Sequence, residues 1–263
     1  MIRALYTSAT GMNAQTTNLD NTAHNLANVN TTGYKKGEVS FQDLLYYNQQ
    51  TPGGVVAQGL QSPIGIQIGS GTRVSGITKI FTPGAIINTQ NPLDIAIEGE
   101  GFFQVLLPNG EVRYTRDGSF RINAQGSLVT SDGFLVSPQI TIPPQAVSIT
   151  IGSDGTVSVQ NAGALNTTTV VGQLTLVRFQ NPAGLSAEGR NLFAETAASG
   201  PPIISVPGQN GTGFTRQGFL ERSNVDVVSE LINLITSQRA YEFNTRAIRT
   251  ADNMLAATTE LVR

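Results

Sequence analysis

The chain has no cysteine among its 263 residues. Disulfide staples and thiolate metal sites are therefore excluded. It has a single histidine, His24, so a histidine-rich metal centre is excluded as well. Charge is scarce: 13% of residues are charged and the net charge is -2. Nucleic acid is not an expected partner, because its binding draws on clustered Lys and Arg. No stretch approaches the roughly 20 apolar residues that span a bilayer. The first residues, MIRALYTSATGMNAQ, lack the apolar core of a secretory leader. If the protein is exported, the expectation is a route that cleaves no conventional leader.

Catalytic patterns are missing too. No serine sits in a nucleophile elbow, and no glycine-rich loop carries a phosphate-binding lysine. Gly152-Ser153-Asp154-Gly155 and Ser131-Asp132-Gly133 lack the further carboxylates of a calcium loop, so they read as hairpin turns. Asp94, Glu98 and Glu100 alternate along a strand, which reads as a solvated face rather than an acid pair. The expectation is a protein that is not an enzyme, with no catalytic residue, cofactor or metal ligand.

What is present is a separation: helical patterning at both ends, strand patterning between. Ile2, Leu5, Ala9, Met12, Thr16, Leu19, Ala23 and Leu26 follow a 3-4 spacing, the seam of a coiled coil. Val227, Leu234, Tyr241, Ile248, Leu255 and Val262 recur every seven residues, which implies supercoiling against a partner helix. The intervening half of that second seam is read as Leu231, Gln238, Thr245, Asp252 and Thr259. Polar residues there weaken a pair and fix its register, so the helices are expected to gain stability from neighbouring copies. The first helix is expected over residues 2–29, ended by Asn28, Asn30, Thr31, Thr32 and Gly33. The last is expected from the Ser223–Asp226 capping region to about Leu261, with Glu230 in its first turns.

Residues 48–71 are polar and glycine-rich, with Pro52-Gly53-Gly54. Two readings stand: a loose loop, or an arm ordered by neighbouring subunits. From residue 72 to 219, strand runs such as Gly101–Leu107 alternate with turns at Pro108-Asn109-Gly110, Arg116-Asp117-Gly118 and Ala124-Gln125-Gly126. Val170–Phe179 is the longest strand candidate. The fold class is α+β: long N- and C-terminal helices pairing as a coiled-coil-like domain, with an inserted all-β domain, an antiparallel sandwich or partly open barrel. The domains are 1–47 with 220–263 (helical, discontinuous), 48–71 (arm) and 72–219 (β).

Asn25-Leu-Ala-Asn-Val-Asn-Thr-Thr-Gly-Tyr-Lys35 resembles the N-terminal signature of the bacterial flagellar rod and hook axial proteins. Ser223-Asn-Val-Asp-Val-Val-Ser-Glu-Leu-Ile, Gln238-Arg-Ala-Tyr-Glu242 and Ala251-Asp-Asn-Met-Leu255 resemble their C-terminal signature. In the middle, Gly99–Val105, Tyr114–Phe120, Leu128–Gly133 and Ile140–Pro143 are similar to members from the distal part of the rod. The chain length also fits a rod member better than the much longer hook subunit.

The resemblance implies a structural subunit that stacks helically into a hollow, rigid tube. Its terminal helices would line the tube and its β domain would lie outside. The tube would carry torque from the proximal rod to the hook and conduct exported proteins. Implied partners are further copies of the chain, proximal rod proteins, the hook protein, the peptidoglycan and outer-membrane rings and the export apparatus. The implied location is the flagellar basal body, from periplasm to outer membrane. Leu5, Met12, Leu19, Leu26, Leu234, Tyr241, Ile248 and Leu255 are expected at the assembly interface, and Tyr34, Phe41, Tyr46, Gly53 and Gly54 in the arm's contacts. The competing readings are a proximal rod protein of the same family and a secreted β-domain adhesin.

Overall fold

The computed structural model describes residues 2–51, 55–57, 60–61, 64–161 and 168–261. Gly53 and Gly54 lie outside the described residues. Two helices frame the chain, α1 (Ile2–Ala27) and α2 (Val227–Leu261), and the described elements between them are antiparallel strands with one 3-10 turn. None of the described helices is long and apolar enough to cross a membrane.

Local chemistry sets the helix ends. α1 stops at Ala27, short of the expected Val29, because Asn28 closes a turn by accepting the Thr31 N–H at 3.2 Å. Gly33 then takes a left-handed conformation, φ 67°. A β-carbon there would lie 2.7 Å from the Arg116 carbonyl carbon, so only glycine fits. At the other end Asp226 caps α2: its carboxylate accepts the Val228 N–H at 3.3 Å and the Ser229 hydroxyl at 2.6 Å.

The chain forms two compact units. The first joins Met1–Ala27, Gly37–Thr78 and Asp226–Arg263; the second joins Asn28–Lys36 and Lys79–Val225. In the first unit α1 and α2 pack on one another. The rest is a ribbon in which Gly37–Asp43 pairs with Thr72–Lys79, Tyr46–Gln50 with Ile66–Gly69, and Val55–Ala57 with Leu60–Gln61. Paired strands thus occupy part of the 48–71 stretch, for which a loose loop and an arm were the two readings.

In the second unit the strand Phe102–Leu106 is central to a nine-stranded antiparallel sheet. It pairs with Val112–Thr115, Leu135–Ser137 and Leu176–Arg178. Alternation sends neighbouring side chains to opposite faces, and here both faces are buried. Phe103 joins Ile95, Ile97, Phe120, Leu174 and Leu176 in one apolar cluster. Phe102 joins Tyr114, Val177, Phe179 and Phe193 in a second, with ring centroids 5.9 Å from Phe179 and 6.0 Å from Phe193. The expected long strand over 170–179 is two strands, Thr168–Gln173 and Leu176–Arg178, in different sheets. Between them the Leu174 N–H bonds to the Gly155 carbonyl at 2.8 Å and its side chain is fully buried. The break therefore gains a core side chain that an unbroken strand would point elsewhere.

Asp94 is not on a solvated face. It is buried and accepts the Asn91 side-chain amide at 2.8 Å. Glu98 and Glu100 are exposed and pair separately with Arg216 at 3.9 Å and Arg178 at 2.8 Å.

Tyr114 donates its hydroxyl to Glu195 at 3.2 Å. Burial, reinforced by that carboxylate, pushes its pKa up to about 12. A folded-state value raised above the usual 10.0 gives stability that is present below pH 10 and lost as pH rises through 12. Tyr114→Phe is expected to flatten that alkaline loss. Urea unfolding at pH 9 and pH 11.5 checks it; equal losses in parent and variant would contradict the assignment.

Candidate assembly interface

The helix pair is closed by small and polar residues. On α2 the positions facing α1 run Glu230, Leu234, Ser237, Tyr241, Asn244, Ile248, Ala251 and Leu255, a 3-4 spacing. Glu230, Ser237 and Ala251 are buried. The expected intervening positions are one residue off: Leu231, Gln238 and Asp252 are exposed, and only Thr245 is half-buried. The Thr259 side chain lies outside the described residues. On α1, Ala14, Thr22 and Asn25 are buried, whereas Thr16 and Ala23, expected in the seam, are exposed. Asn18 donates its amide to the Ser237 hydroxyl at 2.7 Å. A β-carbon on Gly11 would lie 3.0 Å from the Asn244 amide nitrogen. Small side chains at these crossing points let the backbones approach closely, and the polar ones then find partners across the seam.

The expected interface residues are not fully buried. Leu5, Met12, Leu19, Leu26, Leu234, Ile248 and Leu255 are half-buried and Tyr241 is 41% exposed. A separate stripe of α2 faces outward: Val228 is 64% exposed, Ile232 59%, Ile235 55% and Phe243 65%. Sequence reasoning missed that stripe, because the seven-residue repeat drew attention to the other face. On the ribbon Phe41, Leu45, Tyr46 and Tyr47 are exposed, and Tyr34 is buried in the other unit. Tyr34 therefore does not join Phe41 and Tyr46; its ring instead lies 4.5 Å from the Lys79 ammonium.

The signature residues position the chain where it leaves α1 and before it enters α2. Asn25 exchanges two hydrogen bonds with the Gly37 backbone, both 2.9 Å. Asn224 accepts the Lys36 N–H at 2.8 Å and donates to the Ile80 carbonyl at 2.8 Å. Within the second unit lies a buried ionic cluster. Glu221 accepts from Lys35 at 2.6 Å and from Arg116 at 3.5 Å, and it also takes the Gly84 N–H at 2.8 Å. The side chains of Lys35, Arg116 and Glu221 are 2% exposed or less. Lys35 also donates to the Thr82 carbonyl at 2.8 Å, and Arg116 to the Gly99 carbonyl at 2.8 Å. Burial pushes Lys35 and Arg116 below their ordinary pKa values, and Glu221 opposes the shift in both. Arg116 was expected in a turn, Arg116-Asp117-Gly118; its side chain is buried in the ionic cluster. Nothing local in the sequence marks Glu221 as its partner.

Two long helices, one of them with an outward apolar face, a β body and a buried ionic cluster describe a structural, interaction-type protein. The comparisons agree. Residues 96–159 match the flagellar hook protein FlgE/F/G D1 domain, residues 216–261 the flagellar basal body rod FlgEFG protein C-terminal, and residues 5–35 the flagella basal body rod protein family. The flagellar basal-body rod protein FlgG of Borreliella burgdorferi is 47% identical over 100% of both chains. FlgG of Caulobacter vibrioides is 47% identical over 99% of each, and FlgG of Buchnera aphidicola subsp. Schizaphis graminum is 44% identical over 99% of this chain and 100% of its own. The chain belongs to the flagellar basal-body rod protein family represented by FlgG. That family is structural rather than enzymatic.

The cluster sets two cations against one carboxylate, which makes its members unequal. Replacing Glu221 with Met leaves two buried cations facing each other and is expected to cost about 3–5 kcal/mol. Replacing Lys35 with Met leaves Arg116 and Glu221 balanced and is expected to cost clearly less. Urea unfolding of the two variants decides; an equal or reversed order would show that the charge count does not govern the site.

Proposed function

We propose that the chain is a structural subunit of the flagellar distal rod, polymerising helically into a hollow tube that carries torque from proximal rod to hook and conducts exported proteins. The observation that carries this reading is the outward stripe of α2, Val228, Ile232, Ile235 and Phe243, which is apolar and exposed on the single chain. Exposed apolar side chains gathered on one helix face mark an interaction surface. Full-length similarity to FlgG proteins supplies the identity of the assembly.

In this reading α1 and α2 pair in coiled-coil fashion along the inner tube. Leu5, Met12, Leu19, Leu26, Leu234, Tyr241, Ile248 and Leu255 serve as contacts shared with neighbouring copies. Their half-buried state supports that role, since each keeps apolar surface available. Phe41 and Tyr46, together with Leu45, contact neighbours through the ribbon; Tyr34 serves from within its own unit. The chain covers two different patches, so contacts are heterologous, and a heterologous contact that does not close builds a helix of subunits. Single contacts contribute about 1 kcal/mol net, and stiffness under torque comes from making many at once. The same assembly meets proximal rod proteins, the hook protein, the peptidoglycan and outer-membrane rings and the export apparatus. It spans periplasm to outer membrane.

Ile235→Asp and Phe243→Asp test the stripe. Both positions are exposed on the single chain, so stability is expected to change by no more than about 0.5 kcal/mol. Basal bodies from cells carrying either variant are expected to lack the distal rod and hook in electron micrographs. Full rods with hooks on a verified variant would remove the stripe from the assembly.

A further inference from the structure

The second unit holds a pocket of about 250 Å³ that the rod reading does not use. Phe81, Phe102, Phe179 and Pro182 form its apolar walls, and Arg116 also lines it. Arg178 and Glu100, bonded to each other at 2.8 Å, stand at its exposed side. Its volume falls below the roughly 300–1,000 Å³ of small-ligand and cofactor sites. It suits one or two amino-acid side chains instead.

Its electrostatics are specific. The buried cluster beneath it counts Lys35 and Arg116 against Glu221, two positive charges and one negative, a net +1. The Nε–H of Arg116 is buried without an acceptor. The Arg116 guanidinium lies 5.4 Å from the Phe102 ring, which is also part of the wall. Glu100 attracts Arg116 from a distance, but it is exposed and already holds Arg178. An apolar pocket with surplus positive charge at one end selects a carboxylate next to an apolar side chain.

The chain itself presents such a segment. Leu45 is 88% exposed, the highest value among the large apolar side chains described. Asp43, two residues earlier, is exposed, and the Tyr46 hydroxyl bonds to its carboxylate. An ionised carboxylate has about four acceptor sites, so capacity remains. We infer that the pocket is the receptor for Asp43-Leu44-Leu45 of a second copy: Leu45 fills the aromatic walls while the Asp43 carboxylate meets Arg116 and Arg178. This rests on the reading that copies assemble, and it names one of the contacts by which they do so.

The test uses the full chain and the peptide acetyl-Gln-Asp-Leu-Leu-amide, followed by the Arg116 Nε–H and the Phe102 and Phe179 amide signals in NMR. A saturable shift confined to the pocket is expected. Acetyl-Gln-Asn-Leu-Leu-amide is expected to bind about tenfold more weakly, as loss of one charge-assisted hydrogen bond implies. Arg178→Glu, an exposed change, is expected to reduce binding of the acidic peptide and leave the neutral one unaffected. No saturable shift, or equal affinity for the acidic and neutral peptides, overturns the inference. Rods built by an Asp43→Asn, Leu45→Ser chain would also overturn it, while leaving the rod reading intact, because the α2 stripe variants report on that reading separately.

Discussion

The second unit depends on one buried interaction, the meeting of Lys35, Arg116 and Glu221. Each of these charges is costly to remove from water, and the cost is offset only when all are paired together. Lys35 follows α1 by eight residues, Glu221 precedes α2 by six, and Arg116 comes from the middle of the β region. Three segments distant in sequence must therefore be in place before the cluster can form. Such a site adds little net stability compared with an apolar core. It does penalise any arrangement in which one of the three segments has slipped, because a slipped segment leaves a buried charge uncompensated. For a subunit that repeats many times in one shaft, a uniquely specified chain path matters more than a few extra kcal/mol.

The helix pair follows a different logic. Its closest positions are Gly11, Ala14, Asn18, Thr22 and Asn25 against Ser237, Asn244 and Ala251. These residues contribute close approach and hydrogen bonds rather than large apolar area. The large apolar side chains of the seam, such as Leu234 and Ile248, are only half-buried, and others stand on the outer face of α2. A two-helix hairpin designed to be stable alone would bury them fully in the seam. Their actual placement leaves apolar surface exposed on the single chain. The exposed Phe41, Leu45, Tyr46 and Tyr47 of the ribbon repeat the pattern in strand form.

The helical ends, the antiparallel middle and the caps were legible in the sequence because they rest on short-range rules. Heptad spacing, Asp226 at a helix start and Gly33 after a helix end act within a few residues. The same locality explains the errors. Leu231 and Gln238 lie one position from the true seam, and a heptad count on one helix cannot see which side its partner covers. The strand over 170–179 reads as unbroken until Leu174 is required by a core built from Ile95, Phe103 and Phe120. Arg116-Asp117-Gly118 has the residues of a surface turn, and only Glu221, 105 positions away, makes Arg116 an interior residue.

The sequence alone determined the family, the α+β division and the absence of thiol chemistry, since signatures, periodicity and composition are all linear properties. Tertiary structure decided which faces of the helices are buried, where the three charges meet and which aromatic residues wall a pocket. Those outcomes depend on burial, and burial is fixed by what distant segments bring to the same place. A residue's polarity states the cost of hiding it; only the folded chain supplies the partner that offsets that cost.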